Sequence, residues 1–167
     1  VCDMIIDSQQ FDYEDGEYYN NYAESTIRRW LNDTFYNTAF NRYEQEIILT
    51  TTVDNSVEST GSTSNPYACE DTEDKVFLLS YKEAISYCFA KDSGENDPAR
   101  QKKTTDYAQS QGAYTDTNST NEYCGNGEWW LRSPNIDRNY FSLNVRKGGN
   151  VLLDGAESTC YGVVPAL

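Results

Sequence analysis

Twenty-seven carboxylates, five cysteines and no histidine set the limits on the chemistry this chain can do. Without an imidazole there is no Ser-His or Cys-His nucleophilic pair, no zincin helix and no general base poised near neutral pH. Paired carboxylates can exchange protons in glycoside hydrolysis, but the spacing here singles out no pair among the 27 acids. The run Asp116-x-Asn118-x-Thr120-x-Glu122 places oxygen at alternate positions as a calcium loop does. It has Asn121 where such a loop needs glycine and Gly127 where it needs a closing glutamate, so calcium is not expected. Cys2, Cys69, Cys88, Cys124 and Cys160 are widely spaced in sequence, with no C-x-x-C pair to begin a zinc set. Cys88 lies in an apolar stretch and reads as a small buried hydrophobe. Gly125-Asn126-Gly127 precedes a strand, whereas a phosphate cradle follows one. Asp71, Glu73 and Asp74 read as a solvated loop face. Asn32-Asp33-Thr34 and Asn118-Ser119-Thr120 match glycan-acceptor patterns that arise often by chance. No catalytic residue, metal or cofactor is expected, and the chain does not read as an enzyme.

Charge narrows the partners. Thirteen Lys plus Arg against 27 Asp plus Glu give a net charge of −14, which opposes phosphate backbones and anionic lipid. Neither nucleic acid nor direct membrane insertion is expected, and no apolar run reaches the roughly 18 residues that a spanning helix needs. The 167 residues are long enough to bury a real core as one domain, 1–167. A chain that opens on Val1 is expected to be a piece of a longer protein. Fourteen tyrosines in a chain of mean hydropathy −0.76 supply large rings with a polar tip, a type suited to recognition surfaces.

The elements that must position these residues are uneven along the chain. Cys2 to Ile6 reads as a strand, followed by an acidic, tyrosine-rich loop from Asp12 to Tyr22. Ser25 can cap a helix from Thr26 to Asp33 whose apolar face carries Ile27, Trp30, Leu31 and Phe35, with Arg28, Arg29 and Asn32 on the wet side. Tyr36 to Gln45 shows no clean period and is expected as short turns and helical fragments. Glu46 to Val53 reads as a strand by composition, Asp54 to Glu73 as a long loop and Lys75 to Leu79 as a short buried strand. Ser80 and Glu83 have capping-box spacing, so a second helix starts there and carries Ala84, Ile85, Tyr87, Cys88 and Phe89. Lys91 to Asn126 is polar, with one helical turn expected around Thr105 to Gln109.

The last 40 residues change character. Glu128 to Ser133 is a strand with buried Trp129 and Trp130, ended by Pro134. Alternation then puts Phe141, Leu143 and Val145 on the core side and Tyr140, Ser142 and Asn144 outward. Gly148-Gly149-Asn150 is a hairpin turn, Val151 to Leu153 returns antiparallel, and Gly162 to Leu167 closes the chain as an edge or terminal strand.

The ordered set Trp129-Trp130-Leu131-Arg132-Ser133-Pro134, Gly148-Gly149-Asn150-Val151 and Gly162-Val163-Val164-Pro165-Ala166-Leu167 resembles a bacterial, archaeal and phage family. That family ends in a W-W-L-R-S-P strand, a short hairpin and G-V-R-P-A-L. Tyr22 to Asn32, Phe35 to Phe40 and Asp74 to Ser80 agree with it, so the resemblance covers most of the chain from about Ile5 onward. Val164 departs from it, standing where the family usually has Arg. The resemblance implies the formylglycine-generating-enzyme branch of the C-type-lectin-like fold: an α+β domain of two small antiparallel sheets, two helices and long loops. Some relatives are variable proteins of diversity-generating retroelements, in which adenine-directed mutagenesis rewrites a C-terminal segment on a fixed scaffold.

The segment so implied here runs over about 135–161. Its ligand-binding positions are Asn135, Ile136, Asp137, Arg138, Asn139, Tyr140, Ser142, Asn144, Asn150, Leu152 and Asp154, with Ala156 and Ser158 contributing. From Asn135 to Asp154 every one of these residue types is reachable by mutating adenines in an Asn codon, whereas Lys147 and Glu157 are not. Trp30, Trp129 and Trp130 are assigned to scaffold packing. The implied function is a surface-displayed binding protein for a protein or glycan on another cell. Its rivals are an invariant structural or adhesion module on the same scaffold and a formylglycine-generating-type oxidase, for which Cys124 and Cys160 are the only late cysteines.

Overall fold

In the computed structural model, which describes residues 1–86 and 94–167, local capping groups place the helices and one sheet joins the two ends of the chain. The opening apolar run splits into β1 (Met4–Ile5) and β2 (Asp7–Ser8), because its two halves pair with different sheets. Helix α1 (Thr26–Trp30) begins as expected at Ser25, whose Oγ accepts from the Arg28 N–H. It runs through a π turn, Leu31–Phe35, straight into α2 (Tyr36–Ala39). The wider π turn brings Leu31 and Tyr36, five residues apart, onto one buried face, which is why the sequence shows no clean period there. Trp30 is only partly buried and stacks on Phe35 at 5.3 Å. Two supposedly wet side chains face inward: Arg28 meets buried Asp74 at 2.8 Å, and Asn32 bonds the main chain of Lys75 and Val76. Asp74 is accordingly 1% exposed rather than part of a solvated run.

Helix α3 (Arg42–Ile47) takes the start of the stretch expected as a strand, leaving only β3 (Thr51–Val53) extended. A capping box between Asn41 and Glu44 starts that helix and overrides β-favouring composition, so Ile47 and Leu49 end up exposed. β3 pairs antiparallel with β4 (Thr72–Asp74) across a loop that contains a 3-10 turn, Val57–Thr60. Lys75 to Leu79 forms no ladder; Val76 and Leu78 are buried and Phe77 bridges Ala166. α4 (Tyr81–Ser86) starts with the expected reciprocal bonds, Glu83 N–H to Ser80 Oγ at 3.1 Å and Ser80 N–H to Glu83 Oε2 at 2.7 Å. Tyr87, Cys88 and Phe89 lie outside the described residues. β5 (Lys103–Thr104) pairs in parallel with β1, and Thr105 caps α5 (Asp106–Ser110), the expected helical turn.

β6 (Trp129–Pro134), β7 (Phe141–Val145), β8 (Val151–Gly155) and β9 (Gly162–Val163) complete a five-stranded sheet in the order β2-β9-β6-β7-β8. β9 runs parallel to β6 and lies inside the sheet rather than at its edge, because the N-terminal β2 covers its outer side. The fold is therefore α+β. Its sheets differ from two small antiparallel ones: the five-stranded sheet is mixed, and β1·β5 and β3·β4 are separate pairs.

The Trp129-Trp130 pair divides the core. Trp129 packs with Leu131, Val145 and Val151 on one face, and Trp130 with Phe11, Tyr161 and Ala156 on the other. Each indole N–H is satisfied, Trp129 by the Arg100 carbonyl at 3.2 Å and Trp130 by that of Gln9 at 2.9 Å. Because β6 and the part of β7 beside it are covered on both faces, while β8 exposes Leu152 and Leu153 and leaves Phe141 and Leu143 only half-buried, alternation no longer separates core from solvent. Asn144 is the cross-strand partner of Trp130 and shares its buried face, so Asn144 and Ser142 are 0% exposed where the sequence predicted outward positions. Asn135, at 7%, and Ala156, at 0%, are also inside and do not belong to the surface set.

Candidate ligand-binding face

Asn135 follows Pro134 at the end of β6 and builds the next turn with its own side chain. Its Oδ1 accepts from the N–H groups of Asp137 (3.0 Å) and Arg138 (3.2 Å), an Asx turn that reverses the chain toward β7. A second asparagine closes the turn from the far end of the sequence. Asn20, 2% exposed, donates from Nδ2 to the carbonyls of Phe141 (2.8 Å) and Arg138 (2.9 Å), with Asn135 at 3.5 Å. The Asn20 N–H donates to the Asn139 carbonyl at 2.7 Å, and the Ala156 N–H to that of Tyr140 at 2.9 Å. Ile136, Asp137, Arg138 and Asn139 are left exposed, and Arg138 reaches back to the Tyr140 hydroxyl at 2.8 Å.

At the other end of the β7–β8 hairpin the tip is pinned. Arg146 N–H donates to the Asn150 carbonyl and Gly149 N–H to that of Arg146, each at 2.8 Å. Gly149 has φ +90°, and a side chain there would run into the Asp97 main chain. Fully buried Arg100 donates from Nε to the Gly149 carbonyl and pairs with Asp97 at 3.3 Å. The tip and the Asn135 turn sit at opposite ends of a five-residue strand, roughly 16 Å apart at ~3.3 Å per residue. Asn150 thus stands away from the turn. Tyr140 and Ser158 flank the turn half-buried, and Leu152, 48% exposed, lies between on the outer strand β8.

Asp154 is committed to the framework. It accepts from the Tyr161 hydroxyl (2.7 Å), Ser158 Oγ (3.3 Å) and Arg146 (3.3 Å). Burial pushes its carboxyl up, but the Tyr161 and Gly155 bonds and the Arg146 charge outweigh that and hold it below its ordinary value. Burial, then the bond to Asp154, pushes the Tyr161 hydroxyl far up.

The sequence did not single out the Asp12 to Tyr22 loop as part of this face. Asp15 (φ +53°) and Gly16 (φ +90°) make a tight turn closed by a Glu14–Glu17 bridge, for which the Asp-Gly dipeptide was the available signal. Tyr18 stacks on Tyr13 at 6.5 Å and meets the edge of Tyr140 at 6.4 Å, which joins this loop to the turn. Beside it lies an open cavity of about 500 Å³ lined by Asp12, Glu14, Asp15, Glu17, Tyr19 and Arg29. Asp12 itself is held by the N–H groups of Tyr19 and Thr26, and Glu14 by Arg29 at 2.6 Å.

Behind the face, Arg132 ties β6 to the rest of the molecule. It is 2% exposed and donates to the carbonyls of Leu78 (2.6 Å) and Asp54 (2.9 Å), to Asn55 Oδ1 (3.1 Å) and to Glu83. Burial pushes the Glu83 carboxyl up, and the hydrogen bond and charge of Arg132 more than reverse this, so it sits below its usual value. The calcium-like run closes on itself: Asp116 accepts from Asn118 N–H (2.9 Å), Asn121 Nδ2 (2.9 Å) and Lys147 Nζ (2.8 Å). Burial, followed by the charges of Glu128 and Asp154, pushes the exposed Cys160 thiol up, away from the thiolate that metal or redox chemistry requires.

A family model described as a domain of unknown function (DUF6273) matches residues 2–167, and the chain belongs to that family. No curated protein and no solved structure matches the chain.

Proposed function

We propose that this DUF6273 member has a C-type-lectin-like fold and serves as a ligand-binding display protein whose exposed C-terminal side chains are diversified by a retroelement. One observation carries the reading: Ile136, Asp137, Arg138 and Asn139 are exposed, and among the described residues the one hydrogen bond their side chains make is from Arg138 to the neighbouring Tyr140 hydroxyl, its guanidinium lying 5.7 Å from the Phe141 ring. A few residues away, Trp129 and Trp130 anchor the same segment in two cores. Side chains without a structural duty can be exchanged, and a turn already ordered by the fold spares a partner the entropic cost of ordering it. The ligand is a protein or glycan surface, bound by shape and hydrogen bonding at a virion or cell surface. No covalent bond is made or broken.

Sequencing the DNA that flanks the gene tests this. A reverse-transcriptase gene and a near-copy of the final coding segment that differs at adenines should lie close by. Sibling genes should vary at codons 136–139 and 152 and keep those for Trp129, Trp130 and Gly149. Differences spread evenly along the chain would favour an invariant structural module.

A further inference from the structure

We infer that Asn20, which lies outside the diversifiable segment, is the positioning residue of the display turn and fixes its shape through main-chain atoms alone. Three N–H groups of this one buried residue reach the turn, and every acceptor is a backbone carbonyl: Arg138, Asn139 and Phe141, with that of Asn135 at a longer 3.5 Å from the shared Nδ2. Every amino acid carries such a carbonyl, so a change of side chain at Ile136, Asp137, Arg138 or Asn139 removes no acceptor from Asn20. The second half of the clamp is Asn135, whose Oδ1 takes the N–H groups of residues 137 and 138. Proline is therefore excluded at those two positions, and Asn135 leaves the exchangeable set. Asn20 is also not replaceable by its near relatives. Asp would set a carboxylate oxygen against carbonyl oxygens, and Gln would carry the amide one methylene too far.

The purpose assigned to this clamp rests on the display reading, but its geometry does not. Amide hydrogen exchange on the folded protein separates the two. Asn20→Ala should speed exchange at Asp137, Arg138 and Phe141 by about tenfold or more, while Val145 in β7 changes far less. Replacing Ile136, Asp137, Arg138 and Asn139 together by Ala should leave the same amides within about threefold of the parent. Asn20→Asp, which keeps the shape and removes the donor, should loosen the turn at least as much as Ala. Asn20→Ser serves the same comparison if the Ala variant fails to fold. The inference is overturned if the fourfold Ala variant loosens the turn as much as the Asn20 variants do, or if the latter speed Val145 equally. Parent-like exchange in Asn20→Asp also overturns it. The flanking-DNA result is independent of every one of these outcomes.

Discussion

Replacing Arg132 by Met should be strongly destabilising. Met keeps most of the unbranched stem and removes the guanidinium, which strands the carbonyls of Leu78 and Asp54, Asn55 Oδ1 and the Glu83 carboxylate. A neutral hydrogen bond contributes about 1 kcal/mol and one to a charged group about 1.5–3 kcal/mol. The Glu83 side chain is 31% exposed, so water recovers part of that last contribution. The expected loss is about 4 kcal/mol, within the range of about 3–5 kcal/mol for breaking a buried pair. Domains have only about 5–15 kcal/mol of stability in total. Urea unfolding at pH 7, followed by circular dichroism, should therefore show a much lower midpoint at unchanged slope, and Tm should fall by about 8–16 °C. In the Arg132→Met background Glu83→Gln should no longer cost stability and should recover part of the loss, because it neutralises the stranded carboxylate. A loss under about 1 kcal/mol, or full additivity of the two changes, would refute the assignment of Arg132 as the hub.

Asn144 is fully buried and its amide meets no partner among the described residues, so Asn144→Val should raise stability by about 1–2 kcal/mol in the same assay; a loss would show that the amide is satisfied. Gly149→Ala meets both a positive φ and the Asp97 main chain, and should lower stability by about 3 kcal/mol. Glu83 and Asp154 are held below their ordinary values of 4.5 and 3.8. Their contribution is thus present above those values and is lost as pH falls through the lowered ones. An acid titration of Tm should drop below about pH 4.5, and Glu83→Gln should flatten the upper part of that drop.

What the sequence reveals follows the range of the interactions involved. Ser25, the Ser80–Glu83 box, Thr105 and the Gly148-Gly149 turn act on neighbours within a few residues, and each stands where the sequence places it. Buried Trp129 and Trp130 are equally legible, since rings that large on a short strand have few alternatives. Ser142 and Asn144 are not legible. Their burial depends on the Phe11 and Tyr161 packing over Trp130, and Phe11 lies more than a hundred residues from them in the chain. The alternation rule assumes one wet face, and no local signal says that the second face is roofed. Asn20 is hidden for the same reason: an asparagine in an acidic loop reads as solvated until the fold sets four carbonyls around it. The Asn41–Glu44 box is a local signal too, but the reading of Tyr36 to Gln45 as turns and fragments passes over it.

The position of β9 between β2 and β6 has a consequence for synthesis. The order β2-β9-β6 cannot form until Gly162 and Val163 have been made, since β9 is the strand that joins β2 to β6. A shift of reading frame upstream of Gly162 removes that strand and the Ala166 bridge to Phe77. A product shifted out of frame before Gly162 therefore lacks the strand that ties β2 to β6.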